Sequence, residues 1–272
     1  MGIFGLTLLL GPAAGAQTIL GSTGSYGVMG GGAVTVVGAG TTITGNLGVG
    51  GTFANGGVAF GSTGMLVQPL DAQNLTDFTR AYTGLAAMTG ALDLTGLTLG
   101  TTSNNLTPGV YKFTTAAYMT GNLVLDAQGQ SNAVWVFQMA STFDTTAGKA
   151  VTFINTVGDS VANYGLFWQV TGATVFGAST MFEGNLLDGS TIGFGAGVHI
   201  DHGRALTGTG TIGLATDTIN FVGANSGYSG GLAFVDSGNS ITAVPEPATY
   251  TLFAGLGALG LAAFWRRRRA AC

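Results

Sequence analysis

The chain has 272 residues, of which 46% are hydrophobic and only 7% charged, with 49 glycines; ordinary soluble domains carry roughly a quarter charged residues. It is long and apolar enough to bury a sizeable core, which argues against disorder, while its surface must be mostly hydroxyl and amide, poorly suited to phosphate binding or acid-base chemistry. Removing Glu246 and the cluster Arg266 to Arg269 would leave four basic groups against eleven acidic ones and move the net charge from -4 to -7, which argues against a nucleic-acid partner.

At the N-terminus, residues 3 to 10 (IFGLTLLL) form a short apolar run, followed by Gly11-Pro12 and then Ala14-Gly15-Ala16. This reads as a secretory signal peptide over residues 1 to 16, cut before Gln17, although the usual basic leader is missing. From Gly21 to Gly64 the chain is free of charge and consists of short apolar pieces between glycines, such as Val34-Thr35-Val36-Val37, so short strands with glycine corners are predicted. One helix is predicted over residues 70 to 89. Leu75, Phe78, Tyr82 and Leu85 recur at spacings of three, four and three, Asp71 falls in the first turn where a carboxylate suits the helix dipole, and Gly90 stops it. Such a helix is about 30 Å long, close to six strands stacked at about 4.8 Å, so it can lie along a whole stack.

Strand signals return after Leu97 and persist to Phe221. Val134-Trp135-Val136-Phe137-Gln138-Met139 and Gly165-Leu166-Phe167-Trp168-Gln169-Val170 look like two versions of one strand buried on both sides. A second imperfect repeat runs through Thr174-Val175-Phe176, Thr191-Ile192-Gly193-Phe194 and Thr211-Ile212-Gly213-Leu214, with spacings of 17 and 20. A period near twenty with a strand and glycine corners each time is what a solenoid coil requires; a β-sandwich remains open, though its turns normally carry more Asn, Asp and Pro. The one cysteine, Cys272, allows no intramolecular disulfide, so packing and backbone hydrogen bonds must stabilise the fold.

At the C-terminal end Val244-Pro245-Glu246-Pro247 precedes eighteen uncharged residues, Ala248 to Trp265, and then Arg266, Arg267, Arg268 and Arg269. Eighteen helical residues span roughly 27 Å, near the thickness of a bilayer core, and the arginines would stay cytoplasmic. The order Pro-Glu-Pro, apolar helix and arginine cluster over residues 244 to 272 resembles the PEP-CTERM sorting signal of Gram-negative bacteria. That resemblance implies passage through the secretion machinery, transient anchoring by a C-terminal transmembrane helix, recognition by an exosortase, and delivery to the cell surface or an exopolysaccharide matrix.

The body, residues 17 to 243, carries a second resemblance over roughly residues 20 to 221. Thr42-Ile43-Thr44-Gly45-Asn46-Leu47-Gly48-Val49, Leu106-Thr107-Pro108-Gly109-Val110-Tyr111, Leu123-Val124-Leu125-Asp126-Ala127-Gln128-Gly129, Asn132-Ala133-Val134-Trp135-Val136-Phe137-Gln138, Phe167-Trp168-Gln169-Val170 and Gly203-Arg204-Ala205-Leu206 occur in that order. They resemble the bacterial and fungal ice-binding proteins with the ice-binding-like domain. The resemblance implies a mainly β fold, a right-handed parallel β-solenoid of triangular cross-section with one long α-helix packed alongside. It also implies binding of ice through ordered water on a flat Thr/Ser-rich face. Thr145-Thr146-Ala147-Gly148 and Gly177-Ala178-Ser179-Thr180 are the nearest equivalents of the family's threonine segments, and Gly195-Ala196-Gly197-Val198 has no hydroxyl. If the alignment holds, Thr145, Thr146, Ser179 and Thr180 sit on neighbouring coils of one face, with Thr114 and Thr115 as a third row. Thr180→Tyr should then abolish binding with an almost unchanged melting temperature.

No catalytic, cofactor or metal site is predicted. His199-Ile200-Asp201-His202 could ligate a metal, but on a strand His202 faces away from His199 and Asp201, so a solvated strand end is expected. Gly208-Thr209-Gly210-Thr211-Ile212-Gly213 spells a dinucleotide fingerprint without the helix that must follow it, and reads as a corner. Asp126 and Asp188 are too isolated in sequence for a carboxylate pair, and Asp126 suits a turn whose NH groups it caps. Two functions are left: ice binding, or a surface adhesin that holds exopolysaccharide on the same scaffold. Rows of Thr/Ser on the flat face would favour the first, and rows of Tyr, Phe and Asn the second.

Overall fold

The computed structural model describes residues 19–61, 64–157, 164–221, 230–235 and 238–243. The signal segment, the sorting motif and the expected transmembrane helix lie outside the described residues. Among those described, no helix is long and apolar enough to cross a membrane.

The body is mainly β, built of coils of three short strands with tight, often glycine-bearing turns between them. The first coil comprises β1 (Tyr26–Gly30), β2 (Val34–Val37) and β3 (Thr41–Ile43), and the second β4 (Asn46–Val49), β5 (Phe53–Asn55) and β6 (Val58–Phe60), with a fragment, β7 (Leu66–Val67), after them. Helix α1 (Ala72–Ala86) then leads to a partial coil containing β8 (Leu92–Asp93). Two full coils follow: β9 (Gly109–Phe113), β10 (Ala117–Met119) and β11 (Leu123–Asp126), then β12 (Val134–Met139), β13 (Phe143–Thr145) and β14 (Val151–Ile154). The last three coils are continuous, because β17 (Met181–Asp188) and β19 (His199–Thr207) each bend from one face onto the next; between and after them lie β15 (Gly165–Val170), β16 (Thr174–Phe176), β18 (Ile192–Phe194), β20 (Ile212–Ala215) and β21 (Thr218–Asn220). A hairpin of β22 (Leu232–Phe234) and β23 (Ile241–Ala243) closes the described chain, and its pairing is antiparallel.

The coils pair in parallel but do not stack in sequence order. On one face the seven strands run β10-β13-β16-β18-β20-β2-β5, so the first coil docks onto the last one, with Val34 opposite Ile212. The other faces repeat this order, through β1 on β19 and β3 on β21. The N-terminal coils therefore cap the far end of the stack, and α1 carries the chain back to the opposite end.

The helix is shorter than the sequence pattern implied. Asp71 is its N-cap, accepting from the Asn74 N–H at 3.0 Å, rather than a first-turn residue. Its C-terminal carbonyls are met from the sheet: Gln138 Nε2 donates to Leu85 O at 2.7 Å and to Met88 O at 2.8 Å, which ends the helical run before Gly90. Phe78, Ala81 and Leu85 pack with Met29, Val136, Phe167, Leu187 and Leu206 in a layer under the helix. This explains why β12 and β15 read as buried on both sides: the opposite side of the same strands feeds the interior, where Tyr111, Phe137 and Trp168 stack in register with centroids 5.3 and 4.2 Å apart. The hairpin lies over the outer side of α1. A β-carbon on Gly84 would meet Asn239 O at 2.5 Å, so only glycine lets the two segments approach this closely.

The repeat read from the sequence is displaced by one residue at Thr174, which pairs with Ile192 and not with Thr191. Thr174 is fully buried and donates to Asp188 Oδ2 at 2.6 Å, because the strand turns its first side chain inward.

Arg204 ties the late coils to the N-terminal segment. It is fully buried, donates to Gly24 O from Nε and Nη2 at 3.1 and 2.9 Å and to Asn185 Oδ1 at 2.7 Å, and lies over the Phe221 ring. Arg204→Met keeps the bulk but strips donors from buried acceptors, each costing about 1–3 kcal/mol. We expect a correspondingly lower midpoint in equilibrium denaturant unfolding.

Candidate functional site

Three faces are available. The face formed by β1, β4, β9, β12, β15 and the second parts of β17 and β19 is covered by α1, the short 3-10 turn Gly21–Ser25 and the hairpin. The other two have no described segment lying across them, and they differ in chemistry.

On the seven-stranded face, side chains alternate in and out, and the strand centres face outward. In register, these centres are Tyr118, Asp144, Val175, Gly193, Gly213, Thr35 and Ala54. One residue before each strand, backbone hydrogen bonds continue the ladder through Ala173, Thr191, Thr211, Ala33 and Thr52. These positions face outward too, and with Thr142 on the Asp144 coil they make a row of four threonines and two alanines, in which Thr191 and Thr211 are neighbours. The Thr191 and Thr211 hydroxyls lie 3.4 Å apart across two coils. The central row is low where Gly193 and Gly213 stand, and a β-carbon on Gly213 would meet no atom within 4 Å. The result is a flat surface of hydroxyls and methyls, with rows spaced about 6.7 Å along a strand and about 4.8 Å between coils. Asp144 is the one charged group in these two rows; burial alone raises its pKa.

The sequence-predicted residues are divided by the fold. Thr146 is exposed just beyond β13, on the edge of this flat face, whereas Thr114 and Thr115 occupy the turn that enters the face and Ser179 the turn that leaves it. Ser179 has φ +57, a left-handed turn conformation. Thr145 and Thr180 are not on the surface. Both are buried, their hydroxyls are 3.1 Å apart, and Thr180 Oγ1 donates to Gly177 O at 2.7 Å while Thr145 Oγ1 accepts from the Gly177 N–H at 3.0 Å. They close a turn from within, so Thr180→Tyr has no space for its ring and is a folding lesion, not a surface change. Thr191, Thr211, Thr35 and Thr52 were missed as face residues; the alternation of inward Ile192 and Phe194 around Gly193 was the signal that pointed to them.

The third face carries a cluster of ionisable groups. Glu183 pairs in register with Asp201, and His202 Nδ1 lies 3.3 Å from Glu183 Oε2. Strand alternation would aim His202 away from His199, but His202 has φ +57 at a register shift, so both histidines are exposed. No group of three or more His, Cys, Asp or Glu among the described residues could hold a metal ion. Asp126 does cap its turn, accepting from the Gln128 N–H at 2.9 Å, and Asp188 does the same for Ser190 at 2.7 Å.

Burial, reinforced by Asp201, pushes the Glu183 pKa from 4.5 to about 9, and burial pushes Asp188 from 3.8 to about 7. A raised pKa means that the native state holds the proton more tightly than the unfolded chain. The stabilisation is full below the unfolded values and is lost as pH rises through the folded ones. The melting temperature should therefore fall as pH rises from about 5 to about 9, and Glu183→Gln should remove the part of that slope above about pH 7. An unchanged slope in the variant would contradict this assignment.

Comparisons with known proteins agree with this geometry. The model of the ice-binding-like family matches residues 22–220, and that of the PEP-CTERM protein-sorting motif matches residues 243–269. An ice-binding protein of Nostoc sp. (strain HG1) is 34% identical over 262 residues, covering 94% of this chain and 89% of that protein. The crystal structure of an ice binding protein from an Antarctic biological consortium aligns with a TM-score of 0.65 at 32% identity, over 75% of this chain and 90% of the other. That of an ice-binding protein from the Antarctic ascomycete Antarctomyces psychrotrophicus gives 0.66 at 29% identity, over 75% and 98%.

Proposed function

The chain belongs to the ice-binding-like family, and from that membership we propose that it binds ice through its bare seven-stranded face. The scaffold is read as a right-handed solenoid of triangular section, a reading supported by three strands per coil and parallel pairing between coils. The observation that carries the proposal is the pairing of a Thr/Ala row with a central row that is flat at Gly193 and Gly213. Hydroxyls at these spacings hold water in an ordered layer, methyls between them keep the layer from being bound too tightly to the protein, and the near absence of charge leaves its order undisturbed. Strand pairing keeps the array rigid, so little entropy is lost when ice is met.

The adhesin reading lacks support. Tyr118 is the single aromatic ring among the outward strand centres, so there is no row of rings on which sugars could stack. Export follows from the sorting motif. In this reading residues 1–16 are removed, residues 17–243 form the working domain, and an exosortase acts on the segment holding Pro245, Glu246, Pro247 and Arg266 to Arg269. The protein would then reside at the cell surface or in the surrounding matrix.

Gly213→Tyr tests the face with little risk to the fold, because its side chain would rise into open space. We expect loss of ice-recrystallisation inhibition and thermal hysteresis to background, with a stability change within about 0.5 kcal/mol. Thr42→Tyr, at an exposed site on the third face, should leave activity intact. Full activity in Gly213→Tyr would overturn the assignment. The flat rows are interrupted at one end by Tyr118 and Asp144, so Asp144→Thr should extend the array and raise hysteresis at equal concentration.

A further inference from the structure

The two ends of the stack are finished differently. At the β8 end the chain between Leu94 and Leu106 folds across the interior, burying Leu94, Leu99 and Leu106. Its polar backbone is used locally: Leu97 N–H bonds to Leu94 O at 2.9 Å, Gly100 N–H to Ser103 O at 2.8 Å, and Thr98 N–H to Thr102 Oγ1 at 2.7 Å. Asp93 and Lys112 form an ion pair at its rim. At the other end the last strands are β5, β6 and β7, and no described segment crosses them. Phe60 and Leu66 occupy inward register positions, opposite Ile43 and Leu47, which are fully buried. Yet Phe60 is 37% exposed and Leu66 41%, with Met65 beside them at 60%. Among the described residues the interior stack stops there, cut across. The strand edge is open too: Val34 N–H bonds to Thr52 O, so ladder alternation turns the N–H and C=O of Phe53 away from β2, toward the missing next coil.

We propose that this end docks against the same end of a second copy of the chain, forming a two-fold dimer. An exposed core end needs an apolar cover, and open strand edges need a strand. An identical end supplies both. In a two-fold contact each residue meets its own neighbourhood, so a charge there would face its like. The segment that builds this end is free of Asp, Glu, Lys and Arg from Gly21 to Leu70. The closed and charged β8 end fits the surface poorly, which disfavours head-to-tail growth and limits assembly to two chains. The contact is confined to the end of the stack and leaves the seven-stranded face bare in both copies; it does not depend on the ice reading.

Sedimentation equilibrium of the full chain in a density-matched nonionic detergent tests the proposal. We expect twice the chain mass for the natural sequence and a single chain mass for Phe60→Lys and Met65→Lys. Met65 is the safer variant because its side chain is largely exposed, and an unchanged circular-dichroism spectrum certifies its fold. Ala54→Cys and Ala59→Cys, each on a Cys272→Ser background, should give a cross-linked dimer with a short bismaleimide at one or both positions. A single chain mass for the natural sequence would overturn the proposal. So would a dimer that survives Met65→Lys, which would assign association to the apolar C-terminal segment. Masses above two chains without self-cross-linking would indicate head-to-tail stacking, and would overturn it equally.

Discussion

Everything in this molecule depends on the parallel docking of the last coil onto the first. A coil of three short strands cannot bury its own apolar side chains; it becomes stable only between neighbours. The N-terminal coils find theirs in β19, β20 and β21, across a separation of 176 residues between Thr42 and Thr218. Such closure is entropically demanding and is offset only when the whole interior forms together. Buried Arg204 reinforces the same junction, joining the late coils to the segment before β1 through Gly24.

That chain order also decides which surface is bare. Because the N-terminal coils lie at one end and β8 at the other, the chain must run the length of the stack between them, and α1 covers the middle of that run, over β12, β15 and β17. Phe78 and Leu85 give it an apolar side, which binds it to the one face whose outer side chains are Met29, Val136, Phe167, Leu187 and Leu206. Gln138 caps its end and the hairpin seals its outer side. The seven-stranded face has no such large apolar row. Its outward centres include Gly193, Gly213, Thr35 and Ala54, too small to hold a helix and flat enough to meet an extended lattice.

The third face shows what the flat one avoids. Glu183 beside Asp201, with His202 in contact, gathers ionisable groups there and makes that surface sensitive to pH. Keeping most ionisable groups to this face and to turns leaves Asp144 as the only one in the two outward rows described for the flat face. Segregation of charge between faces is thus built into the register, one residue position at a time.

The amino-acid sequence by itself determined the class of element and much of the interior. Glycine corners and a period near twenty are local properties, and they mark short strands whether or not the partners are known. The spacing of Leu75, Phe78, Tyr82 and Leu85 likewise marks α1, and the apolar runs around Trp135 and Trp168 mark strands covered on both sides. What only the tertiary structure decided was direction and order. Thr145 and Thr180 look like surface threonines in sequence, yet a turn aims them inward to bond each other and Gly177. Thr174 is buried and Thr191 exposed, although both open similar motifs, because a shift of one residue reverses the side to which a strand residue points. The docking of the first coil onto the last is set by pairing between residues far apart in the chain, and no local pattern records it.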